Sequence, residues 1–266
     1  MLAHQRRSRI LTELRRTGAV RVADLSDLLG VSDMTIRRDL EQLSSEGVAT
    51  KVHGGAVLGS QAAFEPGFAV KSQLAEPAKL AIATAAVSMI RAGAAIALSA
   101  GTTTWAMADL VAELPDLTVI TNSPTVADAI TGKNPQMNVV LTGGVRTPSA
   151  ALVGPVADRS IAGLHVDQLF LGVHGADPHA GFTTPNLAEA KTDQALIAAA
   201  REVIVVADSS KWGIVGLADI APLSVADVVI TDSGLSPQAL AQLRESVGAV
   251  VVVDPGSGAR SAADNR

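Results

Sequence analysis

A helix, a tight turn and a second helix are predicted by residues 25–40, which read Leu25-Ser26-Asp27-Leu28-Leu29-Gly30-Val31-Ser32-Asp33-Met34-Thr35-Ile36-Arg37-Arg38-Asp39-Leu40. Gly30 can adopt the positive φ that ends a helix, and Ser32 has the side chain of a helix N-cap. Apolar residues repeat at helical spacing on both sides of the turn, so the two helices are expected to share a core. This arrangement is typical of a helix-turn-helix, here at about residues 20–39, whose second helix exposes two adjacent arginines.

The flanking residues extend this helix pair into a winged unit. An earlier helix would close a three-helix core, because its apolar residues fall on one face: Ile10, Leu11 and Leu14. The arginines of the same helix could face a polyanion: Arg6, Arg7, Arg9, Arg15 and Arg16. Residues 47–56 place β-forming residues around Lys51 and end in glycines, which predicts a hairpin wing. A winged helix-turn-helix domain is therefore expected over residues 1–58.

The second helix of such a unit enters the major groove of DNA with its N-terminal turn. An arginine there either pairs with guanine O6 and N7 or binds phosphate, and the sequence leaves both roles open. A solvated face of a purely structural helix pair is the alternative interpretation. The predicted DNA contacts are Ser32, Met34, Thr35, Arg37, Arg38, Lys51 and His53.

Length and charge indicate a second domain with another task. The chain has 266 residues, which suggests two domains. Residues 1–60 hold nine basic and seven acidic side chains, whereas the remainder holds twelve and nineteen. The acidic remainder would repel a phosphate backbone, so DNA binding is expected of the first domain alone. The absence of cysteine excludes disulfides, thiolate catalysis and cysteine-ligated zinc.

Two segments bear on targeting and membranes. The N-terminus lacks the apolar core of a signal peptide, which predicts a cytoplasmic protein. Residues 80–100 are almost wholly apolar, but Arg91 and Gly93 interrupt them. We therefore expect a buried helix from about Lys79 and a strand at 94–98, and no membrane span.

Two further segments are predicted to lie outside regular structure. Residues 59–78 mix glycine, proline and polar residues with Phe64 and Phe68, which predicts a linker whose aromatic side chains dock on a domain. Residues 254–266 combine Gly, Ser, Ala and charged residues and are expected to be a disordered tail.

Residues 79–253 alternate short apolar runs with helical patterns. Strands buried on both faces and joined by helices form mainly parallel α/β sheets, so this is the predicted class of the second domain. The predicted strands are residues 94–98, 117–120, 138–141, 169–173, 203–207, 228–231 and 249–253.

Polar residues follow five of these strands. Ligands of open α/β sheets bind beyond the carboxyl ends of the strands, so these loops are expected to form one rim. The residues Gly101, Thr102, Thr103 and Thr104 lead into a helix and offer backbone N–H groups and hydroxyls to a phosphate, although ordinary N-capping is the alternative. The other predicted effector contacts are Asn122, Ser123, Gly143, Gly144, Gly175, Asp177, Glu189, Asp208 and Lys211.

These residues fit a polyhydroxylated phosphate ligand: Lys211 would supply the countercharge, and carboxylates and Asn122 would bind hydroxyls. A metal site at His174, His179 and Asp177 is the less favoured interpretation, because the spacing is not diagnostic. No metal and no cofactor are predicted. The alternative function is a sugar-phosphate isomerase-like enzyme fused to a DNA-binding module.

The quoted residues resemble the DeoR family of bacterial transcription regulators. The resemblance rests on Thr35-Ile36-Arg37-Arg38-Asp39-Leu40 followed by His53-Gly54-Gly55-Ala56, and on Gly101-Thr102-Thr103-Thr104, Thr121-Asn122-Ser123 and Asp208-Ser209-Ser210-Lys211. It differs at Lys51, where the family often has arginine, at Ser99, where aspartate is common, and at Asp193, where lysine is usual.

The resemblance implies a fold similar to ribose-5-phosphate isomerases and coenzyme A transferases in the second domain. It also implies a repressor of carbohydrate genes that binds double-stranded operator DNA and is released by a phosphorylated sugar or related metabolite. A homo-oligomer is expected because a single module of this size covers too small a DNA site. Release requires that the effector bind the DNA-competent and DNA-incompetent states with different affinities.

Overall fold

The computed structural model describes residues 2–17, 19–46, 48–52, 54–58 and 68–256. Contacts between Cα atoms divide the chain into two compact units, Met1–Pro66 and Gly67–Arg266. The predicted tail beyond residue 256, residues 59–67 of the predicted linker, and His53 lie outside the described residues.

The N-terminal unit is a winged helix-turn-helix, as predicted. Its elements are α1 (Ala3–Thr17), β1 (Ala19–Arg21), α2 (Val22–Leu29), α3 (Asp33–Ser45), β2 (Ala49–Val52) and β3 (Gly55–Leu58). The strands form an antiparallel sheet in the order β1-β3-β2, so the predicted hairpin wing gains a third strand. Strand β1 is not predicted by the sequence, because three residues are too few to show an alternating pattern.

The turn of the helix-turn-helix has the predicted geometry. Gly30 has φ 63° and donates its N–H to the Ser26 carbonyl at 2.9 Å, which ends α2. Ser32 caps α3 by accepting the Thr35 N–H at 3.3 Å. The side chains that close the three-helix core are at most 1% exposed: Ile10, Leu11, Leu14, Leu25, Ile36, Leu40 and Leu43.

Arg6 of α1 does not face outward. The Arg6 guanidinium forms an ion pair with Asp39 of α3, and the two side chains are only 12% and 5% exposed. The hydrogen bond to Asp39 raises the pKa of Arg6, so the guanidinium stays charged. The prediction that Arg6 could face a polyanion is wrong, because this side chain joins α1 to α3 inside the unit.

The C-terminal unit is an α/β domain built on a parallel sheet. Its helices are α4 (Phe68–Gln73), α5 (Glu76–Ser88), α6 (Thr102–Val111), α7 (Pro124–Lys133), α8 (Pro155–Ile161), α9 (Leu187–Ala199) and α10 (Pro237–Ser246). Its strands are β4 (Ala95–Leu98), β5 (Thr118–Thr121), β6 (Asn138–Leu141), β7 (Val145–Arg146), β8 (Leu152–Val153), β9 (Gln168–Gly172), β10 (Gly175–Asp177), β11 (Gly181–Thr184), β12 (Val203–Val206), β13 (Ala218–Ala221), β14 (Val228–Asp232) and β15 (Ala249–Val253).

Seven of these strands form the main sheet, in the order β15-β14-β12-β9-β4-β5-β6. Every neighbouring pair in it is parallel. These are the seven strands predicted from the apolar runs. Residues from α5, α6 and α7 pack on one face of the sheet, and residues from α8, α9 and α10 pack on the other.

Two smaller sheets were not predicted. Strands β10, β11 and β13 form an antiparallel sheet, and β7 pairs with β8. Gly175 of β10 lies so close to a neighbouring segment that a Cβ atom there would be 2.1 Å from the Ile214 carbonyl oxygen. The glycine is therefore required by the packing of this small sheet.

The predicted linker is partly helical. Of residues 59–78, α4 occupies Phe68–Gln73 and α5 begins at Glu76. The predicted docking of an aromatic side chain is found at Phe68, whose ring makes an edge-on contact with Trp105 at a centroid distance of 5.8 Å. Across the described ranges, every helix is too short or too polar to cross a membrane.

Candidate DNA interface and effector site

The exposed face of α3 carries three residues suited to contact DNA. Met34 is 72% exposed, and Arg37 and Arg38 are also exposed, whereas Ile36 and Leu40 are buried on the opposite face. A long apolar side chain left in solvent has no role in the core of this unit. Apolar contact with a thymine methyl group and bidentate pairing with guanine are among the ways in which a helix reads the major groove.

Two hydroxyls lie at the first turn of α3. The Ser32 and Thr35 side-chain oxygens are 2.9 Å apart, and the Ser32 oxygen also caps the helix. Hydroxyls and backbone N–H groups at a helix N-terminus are typical phosphate contacts. In the wing, Lys51 is exposed and forms an ion pair with Glu41 of α3, with 2.6 Å between Nζ and Oε1.

In the C-terminal unit, the order of the main sheet has a switch point between β4 and β9. The chain proceeds from β4 to β5 and β6 on one side, and then crosses to β9, β12, β14 and β15 on the other. Beyond the carboxyl ends of β4 and β9, the buried Ser99 hydroxyl accepts the N–H of Gly172 at 2.9 Å. Such a switch point is where open α/β sheets bind ligands.

Asn122 connects three segments at this edge of the sheet. Its side-chain oxygen accepts the Ala100 N–H at 2.8 Å, and its amide nitrogen donates to the Leu152 carbonyl at 3.3 Å. Its own carbonyl accepts the Leu152 N–H at 2.7 Å. The structure therefore brings the predicted loops after β4 and β5 together, and it adds β8, which the sequence did not indicate.

The threonine loop lies at the N-terminus of α6. Gly101 is the N-cap residue and supplies no side-chain cap. The Thr102 and Thr103 side chains are buried, at 8% and 6% exposure, and their hydroxyls have no hydrogen bond to another described residue. The Thr104 hydroxyl donates to the Gly101 carbonyl at 3.0 Å. Ordinary side-chain capping therefore does not account for Thr102 and Thr103.

Several predicted contacts have structural roles in this rim. The Ser123 hydroxyl caps α7 by accepting the Val126 N–H at 3.3 Å. Gly143 and Gly144 have φ of 72° and 120°, and a Cβ on Gly144 would lie 2.7 Å from the Val153 carbonyl oxygen. These two glycines shape the turn between β6 and β7.

The predicted carboxylates also have partners within the fold. Asp177 accepts the N–H groups of His179 and Ala180 at 2.8 and 3.0 Å in the turn between β10 and β11. Asp208 is buried and caps the 3₁₀ turn Ser209–Lys211 by accepting the Ser210 N–H at 3.1 Å. That turn contains Lys211, which thus lies beyond the end of β12.

Glu189 accepts three hydroxyl hydrogen bonds at the start of α9. The Thr147 hydroxyl is at 2.7 Å, the Thr184 hydroxyl at 3.3 Å, and the Ser149 hydroxyl also donates to this buried carboxylate. Thr147 and Ser149 are not predicted by the sequence, because they lie in a loop without a recognisable pattern. No group of three or more potential metal ligands occurs among the described residues.

A cavity of about 190 Å³ adjoins the threonine loop. Thr102 and Trp105 line it from α6, and Lys79 lines it from α5, where Lys79 also donates a hydrogen bond to the Lys71 carbonyl. The cavity is smaller than the roughly 300–1,000 Å³ pockets that bury drug-sized ligands, so it suits a small metabolite or part of one. Glu76 and Asp109 also line it and make it unfavourable for a phosphate group.

The two units together define the class of two-domain transcription regulators, and comparison with family models agrees. Residues 6–62 match the model for the DeoR-like helix-turn-helix domain, and residues 75–233 match that for the DeoR C terminal sensor domain. The chain belongs to the DeoR family. The family consists of DNA-binding transcriptional regulators, which confirms the prediction that the chain is not an enzyme and removes the isomerase alternative.

Relatives match over most of their length. The putative aga operon transcriptional repressor of Escherichia coli O157:H7 is 36% identical over 94% of this chain and 93% of its own. The HTH-type transcriptional regulator GlpR of Haloferax volcanii is 36% identical over 95% and 98%. The glycerol-3-phosphate regulon repressor of Escherichia coli K12 is 29% identical over 86% and 90%.

Solved structures overlap with part of the fold. Ribose 5-phosphate isomerase A from Methanocaldococcus jannaschii covers 50% of this chain and 53% of its own, with 18% identity and a TM-score of 0.37. The eIF2B beta subunit from Chaetomium thermophilum covers 60% and 49%, with 13% identity and a TM-score of 0.40. These two similarities concern part of the fold only and carry no information about activity.

Proposed function

We propose that this chain represses genes of carbohydrate uptake or catabolism and that a sugar-phosphate-type effector releases it from its operator. The observation that carries the proposal is the exposed face of α3, with Met34, Arg37 and Arg38 in solvent, in a chain that also has a sensor domain. The names of two relatives, an aga operon repressor and a glycerol-3-phosphate regulon repressor, support the repressor and carbohydrate parts.

On the DNA side, α3 would lie in the major groove and the wing would contact the backbone. Met34, Arg37 and Arg38 are the proposed base or phosphate contacts, and Ser32 and Thr35 are proposed phosphate contacts. Lys51 and His53 are the proposed contacts of the wing. Because one such module covers only a half-site, we infer that the chain acts as a homo-oligomer, and we place it in the cytoplasm with its DNA.

On the effector side, we assign the phosphate group to the backbone N–H groups and hydroxyls at Gly101–Thr104, with Lys211 as countercharge. Asn122 holds this loop against its neighbours, and the cavity beside Thr102 would receive the uncharged end of the effector. We keep Ser123, Gly143, Gly144, Gly175, Asp177, Glu189 and Asp208 in the proposed site, mostly as residues that shape its rim.

The proposed DNA binding is tested by selecting duplexes with the full-length chain from a randomised library. We expect one family of related sequences to be enriched and to bind at least about 1,000-fold more tightly than a random duplex of the same length. Enrichment of no sequence would contradict the proposal. The enriched duplex then serves as the operator in the experiments below.

Thr103→Val is expected to reduce effector response without reducing DNA binding. Valine keeps the shape of threonine but removes a hydroxyl that has no other described partner, so one hydrogen bond to the effector phosphate is lost. A hydrogen bond to a charged group contributes about 1.5–3 kcal/mol, so the effector concentration needed for release should rise about 10- to 100-fold.

The measurement has two stages. A thermal-shift screen of triose, pentose and hexose phosphates, with their unphosphorylated counterparts, identifies the compound that stabilises the wild-type chain. That compound is then titrated into a complex of chain and operator. Thr131→Val, which removes a hydroxyl that donates to the Ala127 carbonyl within α7, is the matched control. An unchanged release curve for Thr103→Val would remove the threonine loop from the site.

A further inference from the structure

A carboxylate lies within the surface that the proposed function assigns to DNA. Glu41 follows Arg38 by three positions on α3, so the two side chains project from the same face of the helix. Lys51 reaches Glu41 from β2 of the wing, with 2.6 Å between Nζ and Oε1. The Lys51 and Glu41 side chains are 46% and 62% exposed. The Glu41 carboxylate thus forms an ion pair with Lys51 and lies beside Arg38, and both of these cations are proposed to contact DNA.

Stability does not account for this ion pair. Ion pairs between exposed side chains contribute little to folding, because solvent screens them and two long side chains lose freedom. The unit already has a closed apolar core and the buried ion pair between Arg6 and Asp39. Glu41 is therefore expected to contribute little to the stability of the fold.

The charge of Glu41 is maintained by its neighbours. The hydrogen bond from Lys51 is the main reason that the pKa of Glu41 lies below its ordinary value, and the charges of Lys51 and Arg38 act in the same direction. The side chain is thus a carboxylate at neutral pH. When α3 approaches a duplex, this negative charge comes near the phosphates. The same carboxylate is paired with the Lys51 ammonium group that would otherwise bind a phosphate.

We propose that Glu41 competes with DNA phosphates for Lys51, and to a smaller extent for Arg38, and thereby limits the sequence-independent part of DNA binding. This inference rests on the proposed DNA-binding surface of α3 and the wing. To contact a phosphate, Lys51 has to exchange the Glu41 carboxylate for a phosphate oxygen. The number of effective phosphate contacts, and with it the salt dependence of binding, is then smaller than the count of basic residues implies.

Glu41→Gln in the full-length chain tests this competition. The probe is a random-sequence duplex of 30 base pairs, and its affinity is measured over a series of salt concentrations. Each phosphate contact adds about 0.9 to the slope of log K against log salt concentration. The variant is expected to gain about one such unit of slope and to bind the random duplex roughly 5- to 10-fold more tightly at ~0.1 M salt.

Two controls separate competition from a change in net charge. Glu46→Gln removes the same charge from a position about 140° around the helix from Glu41, and it should change the affinity by less than about twofold. In a Lys51→Gln background, Glu41→Gln should lose most of its effect, because the released cation is absent. Thermal melting of each variant shows that the N-terminal unit is folded.

The inference is overturned if Glu41→Gln leaves the affinity and the salt slope unchanged or weakens binding, since Glu41 would then be neutral or would orient Lys51 toward DNA. It is also overturned if Glu46→Gln has an equal effect or if the effect persists without Lys51. The proposed function fails by a different result, in which the wild-type chain prefers no selected duplex over a random one.

Discussion

Replacing Arg37 and Arg38 together with alanine is expected to weaken binding of the selected operator by about 100-fold or more while the N-terminal unit stays folded. Each good base contact contributes about 1–3 kcal/mol, and about 1.4 kcal/mol corresponds to a tenfold change in affinity. Both side chains are exposed on the face of α3 opposite Ile36 and Leu40, so their truncation leaves no cavity in the core.

The measurement is a titration of labelled operator by fluorescence anisotropy, with circular dichroism as the check on folding. The matched control is Arg159→Ala with Arg244→Ala, which removes the same charge from exposed positions on α8 and α10. We expect this pair to change the affinity by no more than about twofold. Undiminished sequence-specific binding by the Arg37 and Arg38 variant would refute the assignment of α3 as the recognition helix.

The single variants would separate the two roles that the sequence leaves open. An arginine that reads guanine loses discrimination at one base pair when it is replaced, whereas an arginine that binds phosphate weakens all duplexes alike and lowers the salt slope by about 1. Titrating each variant against operators with single base-pair changes therefore assigns Arg37 and Arg38 individually.

Asp39→Ala is expected to destabilise the N-terminal unit by about 3–5 kcal/mol, because it leaves a buried charge without its partner. The Arg6 guanidinium is only 12% exposed and cannot shed its proton at neutral pH. Since α1 and α3 are joined through this pair, the loss should be seen as a lower midpoint for the first unfolding transition in calorimetry of the full-length chain.

A second variant keeps this prediction open to refutation even if Asp39→Ala does not fold. Arg6→Met with Asp39→Leu removes both charges together and should recover most of the lost stability, because apolar side chains of similar volume can replace a buried pair. Glu46→Ala, at the end of the same helix, is the control and should stay within about 0.5 kcal/mol of the wild type. A midpoint for Asp39→Ala equal to that of the control would contradict the role assigned to the pair.

The main elements of both units could be predicted because their patterns are local. The seven parallel strands are buried on both faces and therefore appear as continuous apolar runs. The helix-turn-helix is marked by Gly30 and Ser32, whose roles in ending one helix and capping the next depend only on nearby residues. The small sheet of β10, β11 and β13 has no such local pattern. Gly175 is required there because its backbone lies close to Ile214, which is distant in the sequence.

The misses at the proposed sites all involve partners that are distant in sequence. Arg6 looks like its neighbours on α1, and only the position of Asp39, 33 residues later, shows that it is internal. Glu189 is recognisable in the sequence, but its hydroxyl donors Thr147 and Ser149 lie 42 and 40 residues earlier and are not. Periodicity and motif spacing cannot indicate such pairs, because they are created by the packing of separate elements.

Asn122 has a consequence for the way in which a signal can leave the sensor domain. Its hydrogen bonds join the ends of β4, β5 and β8 to one another through contacts between protein groups alone. An effector that binds there meets a preorganised surface, and little entropy is lost in ordering it. Because the hydrogen bonds make this surface rigid, we do not expect it to move when the effector binds. We expect the conformational change to arise in segments outside it that close over the effector, while the Asn122 region stays fixed.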